Sequence, residues 1–114
     1  MKFADLVAEL YASIADHTQE KVLRQYAKFD CLLIDEVGYV EVEPVQAGLF
    51  FSLMQKRHKR RTTLITTNLG FAEWGSFLKN DHLTAALLDR LTETSYVINM
   101  RNCVSLRPRM DDKT

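Results

Sequence analysis

The sequence predicts an α/β domain built on a parallel sheet, and three observations support this class. The uncharged apolar run Cys31 to Ile34 is typical of a strand buried on both faces. The β-branched run Thr63 to Thr67 predicts a second strand. Segments with apolar residues at helical spacing surround both runs, and strands that alternate with helices indicate parallel pairing.

The helices are predicted from apolar residues three and four positions apart. Pro44 suits the first turn of the helix between the two strands, whose core face is expected to hold Val45, Leu49, Leu53 and Met54. The predicted helices cover residues 4–15, about 18–28, 44 to the basic run at 56–61, about 72–79 and about 82–92.

The carboxyl-terminal part of the chain predicts further β-structure. Tyr96 to Met100 reads as a third strand, and Cys103 to Leu106 is expected to pair back on it as a hairpin. We place one domain over residues 1–107, followed by a polar tail at 108–114 that we expect to fray.

Length and composition restrict the possible functions. The chain has 114 residues, 46% of them hydrophobic, and a formal net charge of +0, so any contact with nucleic acid must be local. The two cysteines, Cys31 and Cys103, are interpreted as buried free thiols because no metal-ligand spacing surrounds them. No apolar run approaches the length of a membrane span, so we expect a cytoplasmic protein without membrane contact.

Polar residues at the predicted strand ends suggest phosphate chemistry. Asp35 and Glu36 follow the first strand, and Asn68 follows the second. Asp35 could hold Mg²⁺ through water, Glu36 could activate an attacking water, and Asn68 could hold that water or a terminal phosphate. Ligands of open α/β sheets bind at this edge. Arg90, on a later predicted helix, could reach the phosphate of a neighbouring subunit.

At these residues the sequence resembles a known family. The segments Leu-Leu-Ile-Asp-Glu-Val-Gly-Tyr, Leu-Ile-Thr-Thr-Asn-Leu-Gly-Phe-Ala-Glu-Trp-Gly and Leu-Leu-Asp-Arg-Leu look like those of the IstB-like transposase helper ATPases. These are AAA+ proteins similar to the helicase loader DnaC. The resemblance extends from about Phe3 to about Leu106.

The resemblance implies a fold and a set of roles. The fold would be a partial AAA+ sheet that keeps the family's third, fourth and fifth strands. Asp35 and Glu36 would be the Walker B pair, Asn68 would be sensor 1, and Arg90 would be the arginine finger. ATP and Mg²⁺ would be the cofactors. DNA, the transposase of the same mobile element and further copies of the chain would be the partners.

Two departures from the family pattern stand out. None of the four glycines lies in a GxxxxGK phosphate loop, so the first strand and this loop are missing and the chain looks like a carboxyl-terminal fragment. Hydrolysis of ATP by this chain alone is therefore not expected. The closing motif of the family is also altered, which leaves the role of Arg107 open.

Other interpretations come from the residues themselves. The basic segment is either a solvated helix end or a contact for DNA phosphates, and a non-catalytic module that binds DNA or a protein partner is an alternative function. A replication protein like the helicase loader is a second alternative. A metal-dependent nuclease is disfavoured because a third acid and a lysine are not convincingly placed. The candidate DNA contacts are Lys56, Arg57, Lys59, Arg60 and Arg61.

Overall fold

The computed structural model describes residues 1–93, and this part of the chain is a small α/β domain. Two parallel strands are flanked by helices, as the sequence predicts. The predicted strand at 96–100, the hairpin at 103–106 and the polar tail lie outside the described residues. In chain order the elements are α1 (Phe3–Ala15), α2 (Gln19–Ala27), β1 (Cys31–Val37), α3 (Pro44–Arg57), β2 (Thr62–Thr67), a 3₁₀ turn (Phe71–Glu73), α4 (Trp74–Leu78) and α5 (Asp81–Glu93).

The sheet places the ends of both strands at common edges. β1 and β2 pair in parallel, with Cys31 opposite Thr62 and Ile34 opposite Ile65. The chain start lies along the other side of β1, where Lys2 forms a parallel bridge with Asp35. The amide of Asp35 donates to the Met1 carbonyl at 2.8 Å. The carboxyl end of β1 therefore has a neighbour on each side, β2 on one and the Met1–Lys2 segment on the other.

The prediction that the first strand is buried on both faces is wrong. Leu32 and Ile34 are buried, whereas Cys31 is exposed and Leu33 keeps 46% of its surface accessible. The buried side chains join one core with α1, α2 and α3. The opposite face of the described sheet also exposes Leu64. The strand reads as apolar throughout, but among residues 1–93 only one of its faces is covered.

The expectation of two buried thiols fails at the first cysteine for the same reason. Cys31 points to the uncovered face at the start of β1 and is an exposed free thiol. Cys103 lies outside the described residues.

The helices follow their predicted bounds closely. α1 buries Phe3, Leu6 and Leu10 on one face, and the Phe3 ring packs edge-on against Phe50 of α3 with centroids 5.0 Å apart. Val45 is 51% exposed, so its predicted place in the core is wrong. It lies in the first turn of α3, ahead of the buried residues of this helix, which begin at Ala47.

The fourth predicted helix is split in two. A 3₁₀ turn over Phe71–Glu73 precedes α4, and Trp74 at the junction is buried. None of the helices within residues 1–93 is long and apolar enough to cross a membrane.

Candidate functional site

A β-bulge at the carboxyl end of β1 brings the acid pair beside β2. Ile34 pairs with Ile65 and Val37 pairs with Thr67, so Asp35 and Glu36 together lie opposite the single residue between them on β2. This two-against-one arrangement re-aims side chains and is common next to active sites. The bulge therefore places both acidic residues of β1 beside a single residue of β2.

The hydroxyl of Thr66 connects the two acidic residues. It donates a hydrogen bond to Oδ1 of Asp35, and it accepts one from the amide of Glu36 at 3.0 Å. A threonine hydroxyl can do both at once because it carries one donor and two acceptor lone pairs. Thr66 therefore fixes the Asp35 carboxylate and the bulged backbone relative to each other.

Glu36 adopts a backbone conformation that few side chains tolerate. Its φ is 62°, in the left-handed region, where a non-glycine residue costs about 1–3 kcal/mol when the surroundings impose it. Its side chain is half-exposed and lies 3.9 Å from the Lys2 ammonium. The Glu36 side chain thus remains accessible to solvent at the carboxyl end of β1.

Asn68 lies directly against the turn that follows the acid pair. Gly38 has a φ of 98°, and a Cβ atom there would meet Oδ1 of Asn68 at 2.7 Å and Cγ of Leu69 at 2.6 Å. Thr67 fastens the two segments further, because its hydroxyl donates to the Val37 carbonyl at 2.6 Å. The three residues predicted at the strand ends are thus gathered at one edge of the sheet.

The donor set at this edge suits a magnesium ion held mainly by water and phosphate. Mg²⁺ commonly uses one or two carboxylates and keeps several waters, and Asp35 is the carboxylate placed for this. The described residues contain no group of three or more ligating side chains, so a closed protein cage is excluded within residues 1–93. A phosphate loop is not among them either, since the sequence has no GxxxxGK segment.

Arg90 lies away from these residues, at the opposite edge of the sheet. Its guanidinium stacks over the Phe51 ring at 5.1 Å and donates to the Ala86 carbonyl at 3.0 Å. It shares a pocket with Thr63, which is at the start of β2. The Arg90 side chain is half-buried. Within one chain it does not lie near Asp35, Glu36 and Asn68.

Arg57 is not a nucleic-acid contact, which corrects the interpretation of the basic segment. It is 1% exposed, and its guanidinium donates to the carbonyls of Tyr26 and Phe29 at 2.8 and 2.7 Å. It also donates to the Thr62 carbonyl at 2.6 Å and to the Thr63 hydroxyl at 2.8 Å. Burial lowers the pKa of the guanidinium from its usual value. Arg57 therefore joins the end of α2 to the start of β2.

The other four basic residues lie at the surface. Lys56, Lys59, Arg60 and Arg61 are exposed around the end of α3. Arg61 lies 3.9 Å from the Asp30 carboxylate, a distance at which an exposed ion pair contributes little.

Three residues of the candidate site were not predicted from the sequence. They are Thr66, which donates a hydrogen bond to Asp35, Gly38, which lies in the turn after the acid pair, and Lys2, whose ammonium lies 3.9 Å from the Glu36 carboxylate. A signal existed for the first two. A threonine-rich strand end beside two acids supplies hydroxyl donors, and a glycine two positions after the acids marks a turn with positive φ. The pairing of Lys2 with β1 depends on tertiary structure and left no local pattern.

Comparison with known proteins matches nearly the whole chain to one family. The family of IstB-like ATP-binding proteins matches residues 1–113. This chain belongs to that family. The "Insertion sequence IS232 putative ATP-binding protein" of Bacillus thuringiensis subsp. berliner is 34% identical over 100 residues, which are 88% of this chain and 40% of that protein.

Two further relatives of this IstB-like chain give the same result. The IS21 protein of Pseudomonas aeruginosa is 33% identical over 84% of the chain, and the IS5376 protein of Geobacillus stearothermophilus is 34% identical over 85%. The matched regions are 36% and 39% of those proteins. The chain therefore spans about two fifths of the length of the curated relatives it matches, as expected for a fragment.

Proposed function

We propose that this chain supplies the metal- and water-handling wall of a nucleotide site in an ATP-dependent transposition helper. The observation that carries the proposal is the bulge that holds Asp35 and Glu36 against Thr66, with Asn68 beside the following turn. Family membership supports nucleotide binding, and the insertion-sequence names of the relatives favour transposition over helicase loading.

Each residue of this edge has a role that its geometry suits. The Asp35 carboxylate, oriented by Thr66, would hold the water shell of Mg²⁺, which offsets the charge of the phosphates when bound. The Glu36 carboxylate is half-exposed and would accept the proton of the attacking water. The Asn68 amide would hold that water or the terminal phosphate.

The strained backbone at Glu36 supports this assignment. A structure keeps a left-handed glutamate only if its neighbours impose it, and such outliers cluster at functional sites. Here the constraint comes from the Thr66 hydroxyl on one side and from the Met1–Lys2 segment on the other. The bulge thus lowers stability somewhat and, in doing so, sets the position of the Glu36 carboxylate.

The strand positions suggest how the site would be completed. We assign β1 and β2 to the third and fourth strands of an AAA+ sheet, and Met1–Lys2 to the end of its second strand. The phosphate loop would then come from polypeptide outside this chain, in keeping with the greater length of the relatives. Hydrolysis by this chain alone is not expected.

Arg90 and the partners complete the proposal. Because Arg90 lies at the opposite edge of the sheet, it would act as an arginine finger only on the nucleotide of another subunit. This requires a homo-oligomer. DNA and the transposase of the same element are the further partners that the family role implies.

A fusion protein tests the nucleotide site. The part of the IS232 relative that precedes the matched region would be joined to this chain, and Mg-ATP binding would be followed by thermal stability. We expect saturable stabilisation that Asp35→Ala reduces strongly and that Asp16→Ala, an exposed acid at the end of α1, leaves unchanged. Equal stabilisation of both variants by Mg-ATP would contradict the role of Asp35.

A second candidate function is DNA binding without turnover, favoured by the exposure of Lys56, Lys59 and Arg60. It predicts that the unfused chain binds duplex DNA with a steep salt dependence. Replacing Lys56 and Arg60 together by glutamine should lower the affinity and the salt slope. Unchanged DNA binding in this double variant would exclude the basic segment as the contact.

A further inference from the structure

A small pocket lies at the amino edge of the sheet, which is the end where the strands begin. Several cationic side chains line it. It has a volume of about 80 Å³ and lies where the end of α3, the start of β2 and α5 meet. Arg90 comes from α5, and Arg61 precedes β2. The polar side chains that line the pocket are Arg57, His58, Lys59, Arg61, Thr63 and Arg90.

Three guanidinium groups line this pocket, those of Arg57, Arg61 and Arg90. The other described ionisable side chains in its lining, His58 and Lys59, are also basic. The neighbouring Asp30 lies 3.9 Å from Arg61, but its carboxylate is 98% exposed and neutralises little. Burial lowers the pKa of Arg57, whereas the Cys31 thiol raises it and the charge of Arg61 lowers it by smaller amounts. Like charges that line one pocket repel each other, so an anion in the pocket would relieve the repulsion.

Two of the three arginines are held in place before any ligand arrives. Arg57 is fixed by backbone carbonyls of the α2–β1 connection and by the Thr63 hydroxyl. Arg90 is stacked on the ring of Phe51 and tied to its own helix through the Ala86 carbonyl. Arg61 is the exposed member of the three and lines the same pocket. Preorganised guanidinium groups lose little side-chain entropy on binding a phosphate.

We propose that this pocket binds a single terminal phosphate group through Arg61 and Arg90, with Arg57 contributing positive charge at its base. The volume matches one compact anion, whereas the backbone of a duplex requires an extended surface. A nucleotide, a phosphorylated DNA end and inorganic phosphate all present this group. The inference does not require Mg-ATP binding at the carboxyl edge of the sheet.

The test is a phosphate titration of the whole 114-residue chain at constant ionic strength. Arginine Nε–Hε resonances would be followed by NMR as inorganic phosphate is added to millimolar concentrations. We expect saturable shifts in the resonances of Arg61 and Arg90. Arg61→Gln and Arg90→Gln should each weaken phosphate binding about tenfold, as expected when a charge-assisted hydrogen bond is lost.

Lys21→Gln is the control, because Lys21 is an exposed cation of α2 that does not line the pocket and is not a candidate DNA contact. It should leave phosphate affinity unchanged. Non-saturable shifts, or equal weakening in all three variants, would overturn the proposal and leave only diffuse electrostatic attraction. Arg57 is not replaced in this test because its substitution is expected to unfold the chain.

Two further titrations distinguish the sources of the phosphate. A short duplex with a 5′-phosphate is compared with the same duplex without it, and ATP is compared with adenosine. Arg61- and Arg90-dependent competition by only the phosphorylated duplex identifies a DNA end, and competition by only ATP identifies a nucleotide. If unphosphorylated duplex competes as well as phosphorylated duplex, the preference for a terminal group is refuted.

Discussion

The amino edge of this small sheet, where the strands begin, and its carboxyl edge, where they end, carry opposite charges. The environments of these charges also differ. At the amino edge, the Arg57 guanidinium is buried and its donors are taken by protein oxygens. At the carboxyl edge, Asp35 and Glu36 stay half-exposed in a bulge, and Glu36 has an unfavourable backbone conformation. The buried charge holds the fold together, whereas the other two remain accessible to solvent.

The difference shows that residue type alone does not separate structural from functional charges. Arg57 lies in a run of cations that reads as a DNA contact, yet it is the one member of that run enclosed by the fold. The acid pair reads as a site and keeps solvent access. Burial together with satisfied hydrogen bonds is the property that distinguishes the two edges.

The largest expected effect is the loss of the buried arginine. Arg57→Met removes the donor for four carbonyls, those of Tyr26, Ala27, Phe29 and Thr62. We expect the free energy of unfolding to fall by about 3–5 kcal/mol, enough to unfold a marginal domain. Lys56→Met, one residue earlier and exposed, should change it by less than about 0.5 kcal/mol. Urea denaturation measures both, and similar values would remove the distinction between the edges.

The next largest effect is expected at the turn after the acid pair. Gly38→Ala adds a Cβ that meets Leu69 and Asn68 at less than 3 Å, at a φ of 98°. We expect a loss of about 1–3 kcal/mol. Gly48→Ala is the control, because no atom lies within 4 Å of its added Cβ and alanine favours the helix. Thermal unfolding should therefore move in opposite directions for the two variants, and a shared direction would contradict the close packing of this turn.

A smaller effect should follow from removing the hydroxyl that connects the acids. Thr66→Val keeps the shape of the side chain but loses the hydrogen bonds to Asp35 and to the Glu36 amide. We expect a loss of about 1 kcal/mol and a change in the amide chemical shift of Glu36. Thr62→Val, at the exposed start of the same strand, is the control and should be close to neutral. An unaffected Glu36 amide in Thr66→Val would exclude the bridge.

The last expected effect concerns Tyr26 at the end of α2, and it is seen only at high pH. Burial, followed by the hydrogen bond and the charge of Glu9, raises the pKa of Tyr26 from 10.0 to about 12. The unfolded chain therefore loses the phenolic proton first, and the stability from this group is complete below pH 10 and lost as pH rises toward 12.

Tyr26→Phe removes this dependence. The difference in unfolding free energy between the wild type and this variant should be constant below pH 10 and shrink between pH 10 and 12. Tyr11→Phe, at a 52% exposed position, should show no such change. A Tyr26→Phe difference that is constant across the whole range would show that the hydroxyl is not held as described.

The sequence predicted the parts of this molecule that depend on local patterns. Helix and strand positions within residues 1–93 follow from periodicity, and the meeting of Asp35, Glu36 and Asn68 follows from parallel strands that end at one edge. Roles for these residues stay predictions. The one-sided burial of β1 was missed because an apolar run does not show how many faces are covered.

The buried arginine was missed for a related reason. Arg57 is one of several cations in a row, and only the packing of α2 against the α3–β2 connection decides which of them is enclosed. The contact of Lys2 with Glu36 joins positions far apart in the sequence, so it leaves no local signal either. The sequence alone does not show which residues lie next to each charged side chain in the folded protein.

The most direct test of the central claim is the turnover of ATP by the fusion described above, with Glu36 changed to glutamine. The side chain keeps its size but loses the carboxylate that would accept a proton from water. We predict that the rate falls by about 10²–10⁴ while Mg-ATP still binds. A Glu36→Gln fusion that hydrolyses ATP as fast as the parent would contradict the assignment of this edge as the catalytic wall.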